Sequence, residues 1–218
     1  MSRLAYPTIG HYEHHSGRWQ SRYGSTGRSA GAAAGHEVRT LSRSLGASIA
    51  GVEQVALDAT DAVALQPAVR GADAVIVTVG ARAREGETPR TDITRSVIAA
   101  IATEGVRRLV VQSSYGVGDS YDSMPFVMKR LVVPLILKQA LADHGMQEAL
   151  LVDSGLDWTV LRPGGLTDQP ATGRVRLWPG TGGAGTLGRV ARADIASLLL
   201  ACVADQGTIG HAYTIAAG

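Results

Sequence analysis

The chain has 218 residues, 45% of them hydrophobic, and a formal net charge of +2. That is enough for one sizeable core and short for two, so a single domain is expected. The basic residues are spread along the sequence, which argues against a nucleic-acid patch or a polybasic membrane surface. Cys202 is the sole cysteine, so an intramolecular disulfide and a cysteine metal cluster are excluded. A reducing, cytoplasmic location is the matching expectation, with Cys202 a small buried residue of a late helix.

From His36 onward short β-branched runs alternate with amphipathic stretches, the pattern of βαβ units and a parallel sheet. HEVRTL (36–41), EQVAL (53–57), AVIVTV (74–79), RRLVVQS (107–113) and DWTVL (157–161) read as strands, AVIVTV apolar enough to be buried on both faces. Helical spacing runs over 61–70 and 91–104, with Asp61, and Thr91 or Asp92, placed to cap the first turns. The stretch 124–154 reads as two helices broken near Pro134 or Gly145, with Gly155 as a stop. Within it, 126–137 is the most apolar run. It is shorter than the ~18 residues a span needs and is interrupted by Lys129, Arg130 and Pro134, so a buried or interfacial helix is expected. A Gly-rich stretch (180–188), a helix over 192–203 with Asp194 in its first turn, and a strand YTIAA complete the chain.

The beginning breaks this rhythm. A doubly wound domain opens with an apolar strand, a glycine turn and a helix, whereas residues 11–23 read HYEHHSGRWQSRY. Residues 1–34 are therefore expected to be an atypical N-terminal segment, either disordered or encoded in an altered reading frame upstream of about Gly31. The Rossmann-like domain is assigned to 35–218. GSTGRSAGAAAG (24–35) carries turn glycines, and Gly24, Thr26 and Gly27 are candidates for a phosphate cradle, in which backbone N–H groups at a helix N-terminus meet a pyrophosphate. Gly31 stands four positions beyond Gly27, where the dinucleotide fingerprint has three, and a flexible linker is the competing reading.

Open parallel sheets bind ligands at the carboxyl ends of their strands, which singles out the residues just past each one. Arg43, flanked by Ser42 and Ser44, suits a ribose 2′-phosphate and favours NADP(H) over NAD(H). Asp58 is placed to face an adenine edge, or else to cap a turn. Thr78, Val79 and Gly80 end the next strand where the chain can pass close to a cofactor. Ser113, Ser114 and Tyr115 are the catalytic candidates, because hydroxyls there can hold a nicotinamide or a substrate carbonyl; helix capping is the alternative. Pro163, Gly164, Gly165 and Leu166 read as a cofactor or substrate wall. No metal site is expected: His144 and Glu148 lie four apart on a helix without a third ligand, where surface pairing is the simpler reading, and His11, His14 and His15 fall in the atypical segment.

Together LVVQSSYGVG, ADHGMQEALLVDSGLDWTVLRPGGLTD and GRVARADIASLLL resemble the atypical short-chain dehydrogenase/reductases of the NmrA and biliverdin-reductase-B (flavin reductase) type, over roughly residues 35–218. The resemblance implies a single-domain α/β Rossmann-like fold, a doubly wound parallel sheet binding NADP(H). It implies contacts at Arg43, Asp58, Gly80, Ser113, Ser114 and the 163–166 turn. The family's Gly-x-x-Gly-x-x-Gly turn is matched in part, by Gly24, Thr26 and Gly27.

The Tyr-x-x-x-Lys pair of orthodox short-chain enzymes is absent: four positions beyond the tyrosines stand Gly10, Ser16, Gly27, Asp119, Pro125 and Ala217. An epimerase or alcohol dehydrogenase built on that pair is disfavoured. The expected activity is hydride transfer from NADPH to a small conjugated acceptor, such as a flavin, a quinone or a tetrapyrrole, with the proton from water. The competing expectations are a non-catalytic NADP(H) sensor of the NmrA kind and a variant of the fold that no longer binds cofactor. The expected partner is a small-molecule substrate, with no nucleic acid and no membrane.

Overall fold

The structure, a computed structural model, describes residues 3–9, 35–80, 86–180 and 188–218. Its strands are β1 (Arg3–Ile9), β2 (Glu37–Ser42), β3 (Val52–Ala56), β4 (Ala74–Val79), β5 (Arg108–Gln112), β6 (Asp157–Pro163), β7 (Leu166–Thr167), β8 (Val175–Pro179), β9 (Val190–Ala191) and β10 (His211–Ala217). Its α-helices are α1 (Ala62–Val69), α2 (Pro89–Thr103), α3 (Lys138–Val152) and α4 (Arg192–Ala204), and a π-helical stretch, Met128–Leu137, leads into α3. Eight strands form one sheet in the order β3-β2-β1-β4-β5-β6-β10-β8. It is parallel throughout except for β8, which runs antiparallel to β10 at the edge. This is the expected doubly wound α/β architecture.

The sheet reaches back further than the 34/35 boundary read from the sequence. Arg3–Ile9 forms β1 and pairs with β2 on one side and β4 on the other, so these residues belong to the sheet rather than to an arm outside it. Arg3, Pro7 and Thr8 interrupt the apolar run that a buried strand ordinarily shows, and a proline removes one ladder donor. Two flanking strands supply enough backbone pairing to override that local signal. The cradle residues Gly24, Thr26 and Gly27, the histidines at 11, 14 and 15, and the question of reading frame lie outside the described residues.

Alternation along the strands divides the core. Val75, Val77, Leu109, Val111 and Val160 face α1, α2 and α3, packing against Leu65, Ile93, Val97 and Leu151. Ile76, Val110, Leu161 and Ile215 face α4, packing against Ile195, Leu199 and Cys202. Each fully buried side chain of this size contributes about 1.5–3 kcal/mol. Cys202 is the buried thiol expected, its pKa pushed up by burial. Arg108 stitches the amino ends of β5 and β6 to α4 by donating to Asp157 O (2.6 Å), Thr159 Oγ1 (2.8 Å), Thr208 Oγ1 (2.9 Å) and Cys202 O.

Helix starts agree with the sequence at α1, where Asp61 Oδ1 accepts from the N–H groups of Val63 (2.9 Å) and Ala64 (3.0 Å). They differ at α2, which begins at Pro89, so Thr91 and Asp92 lie inside its first turn. Its exposed donors are satisfied by a side chain from another helix: the Asp143 carboxylate accepts from Arg90 N (3.1 Å) and Thr91 N (3.0 Å). Such a cap has no local spacing by which to be read. Between 124 and 154 the break falls at Leu137–Lys138 and α3 continues through Gly145, while Pro134 is accommodated in the π-helical stretch. Nor is that stretch buried: none of Met128–Leu137 is.

Candidate active site

The register brings the sequence-selected residues to one edge of the sheet. Ser42 pairs with Ala56, Ile9 with Val79, Val77 with Val111, Gln112 with Leu161 and Ile215 with Pro163. Arg43, Asp58, Gly80, Ser113 and Gly164 therefore stand one or two positions past the last paired residues of β2, β3, β4, β5 and β6, all at carboxyl ends. A concavity of about 460 Å³ on another part of the surface is lined by residues that include Arg3, Glu37, Arg39, Glu53 and Arg70. It sits at the amino ends of β1 and β2, where its charges are already joined in the pairs Arg3–Glu37 (3.0 Å) and Arg39–Glu53 (2.6 Å).

Ser113 is the centre of the arrangement. Its N–H donates to Leu161 O (2.8 Å) and Tyr115 N–H donates to Pro163 O (3.0 Å), so the chain past β5 keeps running alongside β6. Ser113 is only 2% exposed, and its Oγ is buried without a hydrogen-bond partner. Gln112 Oε1, one residue earlier, is likewise buried and unpartnered. Buried polar atoms are almost always satisfied, and an orphan costs about 1–3 kcal/mol. Gln112 faces the other side of the sheet by strand alternation, and the Ser113 orphan at a strand end fits a ligand that brings its own donors and acceptors, as the carboxamide of a nicotinamide nucleotide does.

The neighbouring hydroxyls are engaged otherwise. Ser114 Oγ donates to Tyr115 O (3.2 Å). The Tyr115 side chain is buried, its hydroxyl accepting from Ser123 Oγ (3.2 Å). Ser120 Oγ accepts from Gly116 N (3.0 Å) and donates to Val117 O (2.7 Å), which closes the turn over this segment. Thr78 and Val79 are both buried; Val79 packs into the α1–α2 side of the core, so only its backbone is available to a ligand. Thr78 points to the opposite face, as alternation requires.

Past β3, Asp58 Oδ1 accepts from Thr60 N (3.0 Å) and Thr60 Oγ1 (2.8 Å). These bonds hold its carboxyl below the usual range, backbone N–H first and hydroxyl second, with the nearby positive charge of Arg43 acting in the same direction. Ser42 Oγ donates to Ser44 O (2.7 Å), on either side of Arg43 in the chain.

An anchor not read from the sequence lies behind the 163–166 turn. Arg162, 5% exposed, donates to Glu148 Oε1 (3.0 Å) and Oε2 (2.6 Å) and also pairs with Asp119. Burial alone lowers its pKa, but the two carboxylates reverse the shift and raise it. Gly118 (φ +56°) lies so close that a Cβ there would stand 2.8 Å from Arg162 Nη2. The arginine thus ties β6, α3 and the turn after Ser113 into one wall. Glu148 and Arg162 are fourteen residues apart on different elements, so no periodicity links them. On the far side of the 163–166 turn, Asp194 of α4 accepts from Thr172 N (3.0 Å), Thr172 Oγ1 (3.1 Å) and Gly173 N (2.9 Å), fixing the loop that follows β7. Those bonds outweigh its burial and lower its pKa.

His144 and Glu148 do not form the helix-surface pair read from the sequence. Glu148 turns to Arg162, while His144, 7% exposed, lies between α2 and α3. Gln147 Nε2 donates to Thr94 Oγ1 (2.9 Å), which leaves Gln147 Oε1 to accept from His144 Nδ1 (3.1 Å). Burial, and then the charge of Arg90, push the imidazole pKa from 6.5 down to about 4. The unfolded chain therefore takes up a proton near pH 6.5 that the native state refuses until about pH 4. The resulting stability is complete above pH 6.5 and falls as pH drops through that window, by roughly 3 kcal/mol in full. Urea unfolding at pH 7.5 and 4.5 is expected to show most of this difference in the wild type and to lose it in His144→Asn; equal losses in both proteins would exclude His144 as the source.

Among solved structures, a short-chain dehydrogenase/reductase from Veillonella parvula in complex with NADP superposes with a TM-score of 0.75 at 16% identity, covering 99% of this chain and 95% of that one. ChuY, an anaerobillin reductase from Escherichia coli O157:H7, gives 0.74 at 23% identity, covering 98% and 97%. At such identities these likenesses establish the fold. A curated protein of Bacillus subtilis described as the uncharacterized sugar epimerase YhfK is 26% identical over 155 residues, which span 69% of this chain and 66% of that protein, just under two thirds. Residues 24–206 match the model of the NAD(P)H-binding family, and with the strand-end geometry above this chain belongs to that family.

Proposed function

We propose that the protein is an NADPH-dependent reductase that passes hydride to a small conjugated acceptor, such as a flavin, a quinone or a tetrapyrrole. The observation that carries this reading is the buried, unpartnered Ser113 hydroxyl at the carboxyl end of β5. When bound, the nicotinamide supplies the hydride. Ser113 Oγ orients the transfer by giving a polar head a fixed partner, and the Arg162–Glu148 anchor keeps the 163–166 wall in place. Arg43 engages the 2′-phosphate and so selects NADP(H) over NAD(H).

The proton of the reduced acceptor comes from water. Tyr115 has no lysine four positions on, and its hydroxyl is occupied by Ser123. Lys129 donates instead to Asp122 O (2.8 Å) and lies over the ring of Tyr121. A sugar epimerase working through a tyrosine–lysine pair lacks its machinery here.

Purified protein with NADPH and a panel of quinones, flavins and linear tetrapyrroles is expected to oxidise NADPH above background with at least one acceptor. Arg43→Ala is expected to cut the preference for NADPH over NADH by about tenfold to a hundredfold, the range of a charge-assisted hydrogen bond. NADPH binding without turnover on any acceptor would favour the sensor, and no binding by folded protein would favour a chain that has lost its cofactor.

A further inference from the structure

The stretch that follows the site is turned inside out. Phe126, Leu135 and Ile136 are 73%, 79% and 73% exposed, and Val127 and Leu131 are exposed beside them. Phe126 and Val127 lead into the π-helical stretch; within it Leu131 and Ile136, an i→i+5 pair, share a side that Leu135 adjoins, and the Arg130 guanidinium lies 5.6 Å from the Phe126 ring centre. An apolar face of this size on an otherwise well-packed domain marks a contact surface.

Charge identifies what covers it. Residues 123–142 contain Lys129, Arg130 and Lys138, with no Asp or Glu, and these two lysines are the only ones in the chain. Dispersed charge over the whole sequence conceals this cluster, which becomes visible only with the apolar side chains it borders. A second copy of the same face would set like charges against each other. An anionic lipid surface is complementary on both counts, taking the apolar side chains at the headgroup boundary and the cations at the phosphates. The run is too short to span, and no helix among the described residues is long and apolar enough to cross a membrane.

We propose that the Phe126–Lys138 face docks this protein on the surface of an anionic bilayer. The segment is continuous with the site: just before it comes Met124, whose Sδ would stand 2.7 Å from a Cβ placed at Gly116, three residues beyond Ser113. Resting on the reductase reading, the consequence is that the acceptor is an apolar molecule drawn from the membrane, which favours a quinone over a water-soluble flavin.

The test is co-sedimentation of the full chain with vesicles of phosphatidylcholine alone and of phosphatidylcholine mixed with phosphatidylglycerol. The same samples are assayed for NADPH turnover with a water-soluble short-chain quinone. Partition into anionic vesicles is expected to exceed that into neutral ones by about tenfold or more, to weaken with salt, and to vanish in the double variant Leu135→Glu, Ile136→Glu. Both sites are exposed, so folding, checked by circular dichroism, and soluble-quinone turnover are expected to be retained. Equal or absent partition overturns the proposal. So does a vesicle-free dimer, seen by sedimentation velocity, that the double variant dissolves. Turnover without vesicle binding overturns docking alone, and vesicle binding without turnover on any acceptor overturns the reductase alone.

Discussion

Ser113→Ala is expected to weaken catalysis and cofactor binding without weakening the fold. Ser113 is 2% exposed and its hydroxyl makes no hydrogen bond among the described residues, so its removal deletes a desolvated polar atom and leaves no partner stranded. Stability of the cofactor-free protein is expected to stay level or rise by up to about 1 kcal/mol, while kcat/KM for NADPH falls by about tenfold to a hundredfold. Two urea titrations, without and with a fixed excess of NADPH, read stability and binding, because a ligand that binds only the native state stabilises it by an amount that grows with the logarithm of its affinity, and steady-state kinetics reads kcat/KM. A variant that is destabilised but turns over normally would place Ser113 in the scaffold and remove the main support for the site.

The largest effect on stability is expected at Asp143. Its carboxylate is fully buried and accepts from Arg90 N and Nη1 (3.1 Å each), Thr91 N (3.0 Å) and Thr91 Oγ1 (2.8 Å). It caps α2 and neutralises a guanidinium that is itself 8% exposed. Asp143→Ala breaks a buried pair from one side and uncovers two helix donors, so a loss of about 3–5 kcal/mol is expected, with Asp143→Asn in between. Because α3 also carries Glu148, the partner of Arg162, the alanine variant is expected to bind NADPH more weakly even where it remains folded. Denaturant midpoints for the three proteins check this; a loss below about 1 kcal/mol for alanine would mean that Arg90 and the α2 donors find other partners.

Much of the architecture is legible locally. The near-continuous apolar runs of β4 and β5, the Asp61 cap and the Gly155 stop announce alternating strands and helices, because each depends on neighbours close in sequence. The resemblance read from the 109–118 and 142–168 segments agrees with the family match. Strand ends follow from the same patterns, and with them the placement of Arg43, Asp58, Gly80, Ser113 and Gly164 at one edge. β1 escaped, since Arg3, Pro7 and Thr8 mask a strand that only its partners on both sides secure.

By itself, then, the sequence determined the fold class, the family and the sheet edge that gathers the candidate site residues, since periodicity and turn chemistry are properties of adjacent residues. Tertiary structure alone decided which hydroxyl is buried and unsatisfied, that Asp143 caps a helix through Thr91, 52 residues away, that Glu148 serves Arg162, and that an apolar run points outward. Burial and partnership are set by elements distant in the chain, and no spacing along it encodes them.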